Sequence, residues 1–400
     1  MPVSRLQVQG TTGIISTLIA VIWPYQGGMD MGRLRERARE LLEKADVRLN
    51  GDRACDIRVH DERLYARVFA HGSLGFGEAY MDGWWDSDDI AELTFRLLRG
   101  QLYEAVQPWR DLPRVLAAHV LNWQTPRRIR RVAEQHYNIG NELYDRMLGR
   151  YPVYSCGYWR EADNLDDAQY AKIDLIARKL GIEPGMRVLD IGCGWGAAAR
   201  HIAERYGAEV VGVTISREQV DYGRQLCDGL PVDIRLQDYR SVDERFDRIL
   251  SIGMFEHVGY KNYRAFMELA SRCLDPDGLF LLHTIGNNES SATTDPWIEK
   301  YIFPNSMVPS AKQVTQSAEG RFIIEDWHNF GTDYDRTLLA WFANFDAHWS
   351  ELAADYGERF YRIWKFYLLS CAGSFRARQN QLWQIVLSPR GQIGGYLSLR

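Results

Sequence analysis

The chain has 400 residues, of which 46% are apolar and 25% charged, with a formal net charge of −5. This length favours two domains, because a single hydrophobic core seldom grows so large. The acidic balance excludes a chain whose whole surface binds polyanions, so we expect no nucleic-acid partner. The composition is that of a soluble globular protein. Its 13 Trp, 21 Tyr and 15 Phe form an aromatic excess that fills a core, lines an apolar channel or faces a cation.

Residues 1–30 differ from the rest of the chain. The stretch "GIISTLIAVIW" (13–23) is apolar but about half the length of a membrane span. Methionines at 29 and 31 precede a charged helical pattern, which favours a misassigned start codon or a frayed tail over an N-terminal anchor. Six cysteines without a C-x-x-C pair are typical of a reduced cytosolic chain, and no metal site is expected.

The next hundred residues contain helical patterns. "GRLRERARELLEKA" (32–45) has the spacing of an amphipathic helix, and "DDIAELTFRLL" (88–98) has acids in its first turn. Between residues 109 and 131 there are six arginines and one acid. The residues alone leave two interpretations of this segment open: a patch that contacts anionic lipid headgroups, or the solvated face of an interdomain linker.

From about residue 171, helices alternate with short apolar strands, which predicts an α/β fold with a mostly parallel sheet and helices on both faces. The predicted strands begin at "RVLDI" and continue with "AEVVGVTIS", "VDIRLQDY", "FDRILSI", "GLFLLHTIG" and finally "LWQIVLS". Residues 287–350 interrupt the pattern and are predicted to be an insertion over the carboxyl edge of the sheet. The ligand should lie at the carboxyl ends of the strands.

A glycine-rich turn, "DIGCGWG" (190–196), follows the first of these strands. Its glycines let the backbone turn sharply and approach a ligand. Asp190 and the G-x-G-x-G spacing favour S-adenosylmethionine (SAM) over NAD or ATP. Thr214 ends the next strand, where an acid commonly binds a ribose; its hydroxyl, that of Ser216, or Gln219 could take that role. "QDY" (237–239) could hold an adenine, although each of these residues could simply end its strand.

Two further strand ends carry titratable groups. "SIGMFEHVG" places Glu256 and His257 just past one strand, and "LLHTIG" places His283 at the apolar end of the next. Because neighbouring parallel strands end at the same crevice, Glu256 and His283 are a candidate acid–base or anion-organising pair. The ordinary alternative for His283 is a hydrogen-bonded core histidine.

A series of motifs over about residues 35–390 closely resembles the cyclopropane-fatty-acyl-phospholipid synthases. The motifs are "HYNIGNELYDRML", "YSCGYW", "VLDIGCGWG", "VVGVTIS", "GMFEHVG", "LLHTIG", "EDWHNFG" with "DYDRTL", and "CAGSFRAR". The resemblance implies a class I SAM-dependent methyltransferase fold, Rossmann-like, with a smaller N-terminal domain. It implies a domain over residues 31–125 for lipid docking and dimer support, and a catalytic domain over 126–400 with an acyl-site insertion around 287–350.

The resemblance also implies a reaction. A methylene group passes from SAM to the cis double bond of an acyl chain in a membrane phospholipid, through a carbocation and with bound bicarbonate as the base. The implied bicarbonate site comprises Cys156, Glu256, His283, Ile285 and Tyr334, and Cys371 is a weaker catalytic candidate. The implied SAM contacts, with Asp190, are Tyr154, Ser155, Gly192, Gly194, Gly196, Thr214, Gln219, Gln237, Asp238 and Tyr239.

Further expectations concern the surroundings of the reaction. Tyr301, Phe303, Tyr334 and the rings of 359–367 are candidates to line an acyl tunnel. By the resemblance, the protein would be a cytoplasmic homodimer on the inner face of an anionic membrane, which favours lipid contact for residues 109–131. Two alternatives remain: an enzyme that methylates the same double bond without closing a ring, and a catalytically idle lipid-binding protein. The intact anion-site residues favour ring closure.

Overall fold

The structure is a computed structural model that describes residues 30–102 and 140–400. Its helices are α1 (Met31–Lys44), α2 (Arg63–Met81), α3 (Ile90–Arg99), α4 (Asn141–Leu148), α5 (Leu165–Lys179), α6 (Ala197–Tyr206), α7 (Arg217–Leu226), α8 (Tyr263–Cys273), α9 (Pro296–Tyr301), α10 (Ala311–Ala318), α11 (Asp333–Ala347) and α12 (Trp349–Arg376). Its strands are β1 (Arg58–Val59), β2 (Trp85–Asp86), β3 (Arg187–Ile191), β4 (Glu209–Thr214), β5 (Val232–Leu236), β6 (Phe246–Ile252), β7 (Leu274–Asn287), β8 (Ile323–Asn329) and β9 (Asn380–Ser388). The apolar segment 13–23, the arginine-rich segment 109–131 and the predicted domain boundary at 125 lie outside the described residues.

The predicted alternation of helices and strands is confirmed. Strands β3 to β7 pair in parallel, in the order β5-β4-β3-β6-β7. Strand β9 pairs antiparallel with β7, and β8 pairs antiparallel with β9 at the edge of the sheet. Strand β3 is buried along nearly all its length, which is why its sequence reads as an apolar run and not as an alternation. The chain order reverses at β3, so a crevice opens at the carboxyl ends of β3 and β6.

The segment predicted as an insertion contains regular structure that the sequence pattern did not indicate. Residues 287–350 include α9, α10, α11 and the edge strand β8. Strand β8 exposes Ile323 and Ile324 and buries Asp326, so its polarity runs against the alternation that normally marks a strand. Pairing with the apolar β9, across a register shift, defines it instead.

Residues 30–102, here the N-terminal module, comprise α1 to α3 and the antiparallel pair of β1 and β2. The module packs on α12, where the Arg362 guanidinium donates to Tyr80 O at 2.6 Å and to Asp86 Oδ1 at 2.7 Å. Gly373 of α12 permits the close approach of α3, because a Cβ at Gly373 would lie 2.3 Å from Ala91 O. Within the described ranges, the structure contains no helix with the length and apolarity needed to span a bilayer.

We expect Gly373→Val to weaken the packing of α3 on α12. A forced fit in a close-packed contact typically costs about 1–3 kcal/mol, and the reduced stability should appear in chemical denaturation. Gly32→Ala is the matched control, because a Cβ there meets only the mobile carboxyl of Asp30. Equal stabilities of Gly373→Val and the unmodified protein would contradict the close approach.

Candidate active site

The loop 153–159, "VYSCGYW", is fastened to α11 by one hydroxyl. Thr337 Oγ1 accepts from Gly157 N at 3.1 Å and from Trp159 Nε1 at 2.8 Å, and donates to Asp333 O at 2.9 Å. The Asp333 carboxylate accepts from Trp159 N at 2.7 Å. Thr337 is fully buried, so these bonds form away from water and fix the loop. The motif "DYDRTL" contains Asp333 and Thr337, but no sequence pattern indicated which residues they contact.

Helix α5 holds the same loop from the other side. Gln169 Nε2 donates to Ser155 O, and the Lys172 ammonium donates to Ser155 Oγ, each at 2.8 Å. Both side chains are fully buried. Sequence reasoning missed these residues, although a signal was present. Gln169 and Lys172 recur with Ile176 at the three-and-four spacing of a buried helix face.

The glycine-rich turn that follows β3 has three glycines at alternate positions in the left-handed region. The φ angles are 83° at Gly192, 55° at Gly194 and 82° at Gly196. A Cβ at Gly192 would lie 2.6 Å from Met254 Cγ, so only glycine fits this position. Beside the turn, Asp190 is buried with Oδ1 unpartnered among the described residues, and burial raises its pKa to about 7.

The strand ends beyond the turn carry the other predicted cofactor contacts. Thr214 Oγ1 donates to Gln219 Oε1 at 2.6 Å, and Ser216 caps α7 through Gln219 N. The Asp238 carboxylate accepts from the backbone and the guanidinium of Arg240, at 3.1 and 2.8 Å. Asp238 therefore orders the loop after β5 as well as facing the crevice.

A cavity of about 1080 Å³ joins these groups and continues to the N-terminal module. The predicted site residues that line it are Tyr154, Ser155, Asp190, Gly192, Gly194, Thr214, Gln219, Gln237, Asp238, Tyr239, Glu256, Ile285, Tyr334 and Cys371. Gly196 caps α6, and Cys156 and His283 are buried without lining the cavity. The structure thus brings all the predicted cofactor contacts except Gly196, and three of the five predicted anion-site residues, to a single cavity.

Glu256 lies in a short turn after β6 and is buried. Its Oε1 accepts from Ile285 N at 2.7 Å, while Oε2 has no partner among the described residues. Burial raises the pKa of Glu256 to about 7. The Ile285 N–H therefore holds the Glu256 carboxyl in place.

His283 lies on β7 beside the buried Gln384 of β9. Gln384 Nε2 is 3.4 Å from His283 Nδ1, and His283 Nε2 has no partner among the described residues. Burial and the positive charges of Lys172 and Lys179 lower the pKa of His283 well below its ordinary value. A neutral ring whose Nδ1 accepts from this amide would carry its proton on Nε2, where it could be donated to a ligand.

The cysteines of the site are thiols and not thiolates. Burial raises the pKa of Cys156 well above its ordinary value and that of Cys371 to about 12. A thiol so protonated is a poor nucleophile. Tyr334 stacks on Phe375 with ring centroids 4.4 Å apart, and burial raises the pKa of its hydroxyl well above the ordinary value.

The donor set fits both groups that the sequence implied. The glycine turn lies beside the buried Asp190, whose Oδ1 has no partner among the described residues. This arrangement suits a cofactor with amino and hydroxyl groups, because it offers backbone donors and a carboxyl acceptor. A small anion with one proton suits the other end, where the unpartnered Nε2 of His283 can donate and the unpartnered Oε2 of Glu256 can accept.

The fold and the glycine turn define a class of protein. The order β5-β4-β3-β6-β7-β9-β8, with β7 and β9 antiparallel, and a glycine turn after the central β3 are the architecture of class I SAM-dependent methyltransferases. The predicted fold class is confirmed, and solved relatives of this class superpose on the chain.

Comparison with known proteins identifies the family. The family model of mycolic acid cyclopropane synthetase matches residues 124–385. The cyclopropane-fatty-acyl-phospholipid synthase of Escherichia coli (strain K12) is 50% identical over 359 residues, covering 90% of this chain and 94% of its own. The chain therefore belongs to the cyclopropane synthase family and is a SAM-dependent methyltransferase. The resemblance inferred from the motifs is confirmed.

Solved structures agree. A cyclopropane synthase of Mycobacterium tuberculosis is 33% identical with a TM-score of 0.61, covering 64% of this chain and 97% of its own. A mycolic acid cyclopropane synthase solved with SAH and CTAB is 34% identical, with the same TM-score and coverage. CTAB is a long-chain amphiphile, so that relative's structure contains both a cofactor product and an alkyl chain.

We expect Glu256→Gln to stabilise the ligand-free protein at alkaline pH. In the unfolded chain Glu256 ionises near 4.5, but in the folded protein only near 7. The folded state retains the proton in this window, so the free energy of unfolding falls as pH rises from 4.5 to 7. Gln cannot ionise, and the variant should gain on the order of 3 kcal/mol at pH 8.

The comparison is made by chemical denaturation at pH 4.5 and pH 8. The two proteins should differ little at the lower pH, where Glu256 is protonated in the folded state and still about half protonated in the unfolded chain. Glu268→Gln is the matched control, because that carboxyl is half-exposed on α8 and pairs with Arg264 and Arg321. If Glu256→Gln differed from the unmodified protein by the same free energy of unfolding at both pH values, the pKa of Glu256 would not be raised in the folded state.

Proposed function

We propose that the enzyme transfers a methylene group from SAM to the cis double bond of unsaturated acyl chains in membrane phospholipids. The ring closes through a carbocation on the acyl chain, with bound bicarbonate as the base. One observation carries the proposal: a single cavity contains the glycine turn at one end, the unpartnered Glu256 Oε2 beside it, and an aromatic, apolar passage beyond.

SAM supplies, when bound, the electrophilic methyl carbon that becomes the third carbon of the ring. The chain's own residues would hold it by the backbone of the glycine turn, by Asp190 at its side, and by the paired Thr214 and Gln219. Tyr154 borders the same space, and its hydroxyl lies 2.7 Å from that of Tyr367. That contact joins the cofactor wall to the aromatic helix α12.

Bicarbonate would take the proton that leaves the new methyl group. His283 offers a neutral Nε2–H to such an anion, and Glu256, held by Ile285 N, offers Oε2 to the ion's own proton. Cys156 would contribute its backbone N–H, since its thiol is protonated. Tyr334 faces the same cavity and would donate its hydroxyl.

The passage beyond the anion site suits a cationic intermediate on an acyl chain. A carbocation in contact with water would be trapped as an alcohol, so the site must be dry and can use aromatic faces. Phe303, Tyr334, Phe366 and Tyr367 line the cavity, and all four are among the candidates for lining an acyl tunnel. Tyr301, the other candidate, instead donates to Glu78 Oε1 at 2.8 Å.

The N-terminal module completes the passage. The module's apolar lining residues include Leu41, Val68, Phe69, Leu97 and Leu98. This supports a domain organisation of extension (1–30), lipid-docking domain (31–125) and catalytic domain (126–400). We infer that the acyl chain lies between module and sheet while the rest of the phospholipid stays at the inner face of an anionic cytoplasmic membrane, and that the enzyme works as a peripheral homodimer.

Product analysis tests the proposal. The purified enzyme, incubated with SAM and vesicles of a monounsaturated phosphatidylethanolamine, should add one CH2 to the lipid and remove its double bond, as mass spectrometry after ozonolysis would show. Glu256→Gln should lose most turnover and retain SAM binding. A methyl-branched product that keeps an olefin would favour methylation without ring closure, and an unchanged lipid would favour the idle lipid-binding protein.

A second prediction concerns the acyl passage. Val68→Trp places an indole in the part of the cavity formed by α2 and should reduce turnover about tenfold or more, because each lost methylene contact weakens binding by about 0.8 kcal/mol. Val59→Trp is the control, since Val59 is also half-buried in the module but does not line the cavity. SAM affinity should be unchanged in both variants. Normal turnover of Val68→Trp would show that the N-terminal module does not contact the acyl chain.

A further inference from the structure

Lys172 is a buried cation that the proposed chemistry does not use. It lies on α5 with no exposed surface, and among the described residues no carboxylate comes within ion-pair distance of it. Its one hydrogen-bond partner there is Ser155 Oγ, at 2.8 Å. Burying an ammonium without a counter-charge is costly, so its presence requires an explanation.

A second buried lysine on the same helix shows the ordinary solution. Lys179 lies two turns further along the same face and is also buried. Its Nζ is 3.6 Å from Asp326 Oδ2 and 3.0 Å from His328 Nδ1. Lys179 thus has its counter-charge within the fold, and Lys172 does not.

The neighbours of Lys172 are the two halves of the candidate site. Its charge acts on the Asp190 carboxyl beside the glycine turn and on Cys156 and His283 at the anion site. Burial lowers the pKa of Lys172 to about 7; an anion bound nearby would favour the charged form. Asp190 offsets the charge in part, but it lies beyond ion-pair distance and burial raises its own pKa to about 7, so the cavity is where a closer counter-charge would bind.

Hydrogen-bond chemistry gives the contact with Ser155 a direction. An ammonium can only donate, so Ser155 Oγ must accept from Lys172, and the serine's own proton must point elsewhere. Ser155 lines the cavity, and its main-chain oxygen is held by Gln169. The remaining O–H of Ser155 is then available to an acceptor in the cofactor space.

We propose that Lys172 is a positioning residue, which orients the Ser155 hydroxyl as a donor to the cofactor and supplies the counter-charge of the anion bound between Cys156 and His283. This role rests on the proposed function for its anion. Lys172 touches neither ligand; it acts through Ser155 and through its charge.

The test compares Lys172→Met, which removes charge and donor, with Lys172→Gln, which keeps a donor, and with Lys179→Met as matched control. SAM affinity is measured by calorimetry, and kcat and KM for bicarbonate are measured in degassed buffer with vesicles of monounsaturated phosphatidylethanolamine. Lys172→Met should raise both the SAM dissociation constant and the bicarbonate KM about tenfold, the usual effect of losing a charged hydrogen bond. Lys172→Gln should recover SAM affinity but not the bicarbonate KM. Lys179→Met should leave SAM affinity unchanged and raise the bicarbonate KM less than Lys172→Met does.

The outcomes separate this role from a structural one and from the proposed function. Unchanged constants in a folded Lys172→Met enzyme, or an equal rise for Lys179→Met, would overturn the role of Lys172. If Lys172→Met does not fold, Ser155→Ala replaces it: weaker SAM binding with unchanged bicarbonate KM supports the assignment, and unchanged SAM binding contradicts it. Wild-type turnover independent of bicarbonate would instead overturn the proposed base, and with it the counter-charge role.

Discussion

The hydroxyl of Thr337 is the point on which the candidate site depends. It binds the loop 153–159 to α11, and Tyr334 lies one turn away on the same helix. Tyr154 and Ser155, on the cofactor side, are thereby fixed relative to Tyr334, on the anion side. These bonds form in a fully buried place, where hydrogen bonds face no competition from water and an unmade one is expensive. One small polar side chain therefore fixes the position of the loop relative to α11.

The site contains polar groups that the protein alone does not satisfy. Asp190 Oδ1, Glu256 Oε2 and His283 Nε2 are buried without partners among the described residues, and each such group typically costs about 1–3 kcal/mol. The apolar clusters on both faces of the sheet offset this cost. Such groups are kept where ligands complete them, which is why stability and activity pull in opposite directions at active sites.

Sequence reasoning found the sheet and the strand-end residues, because both follow from local patterns. Apolar runs marked β3 to β7, and the rule that parallel strands end at one crevice brought Glu256 and His283 together. The pattern could not reveal the contacts of Lys172, Thr337 or Gln384, because each of these side chains contacts a residue more than fifteen positions away in the chain. Strand β8 was missed for a related reason: its pairing with β9, and not its own polarity, makes it a strand.

In the proposed reaction, the junction between the N-terminal module and α12 is as important as the anion site, because it would exclude water from the acyl chain. If the acyl chain lies between them, any gap that admits water would quench a carbocation. The contacts there are correspondingly close: a Cβ at Gly77 would lie 2.4 Å from the Trp297 ring, and Arg362 ties α12 to the backbone of the module. An aromatic cluster of Phe76, Trp85 and Phe366 fills the space beside them. The aromatic excess of the sequence thus serves to seal the cavity as well as to line it.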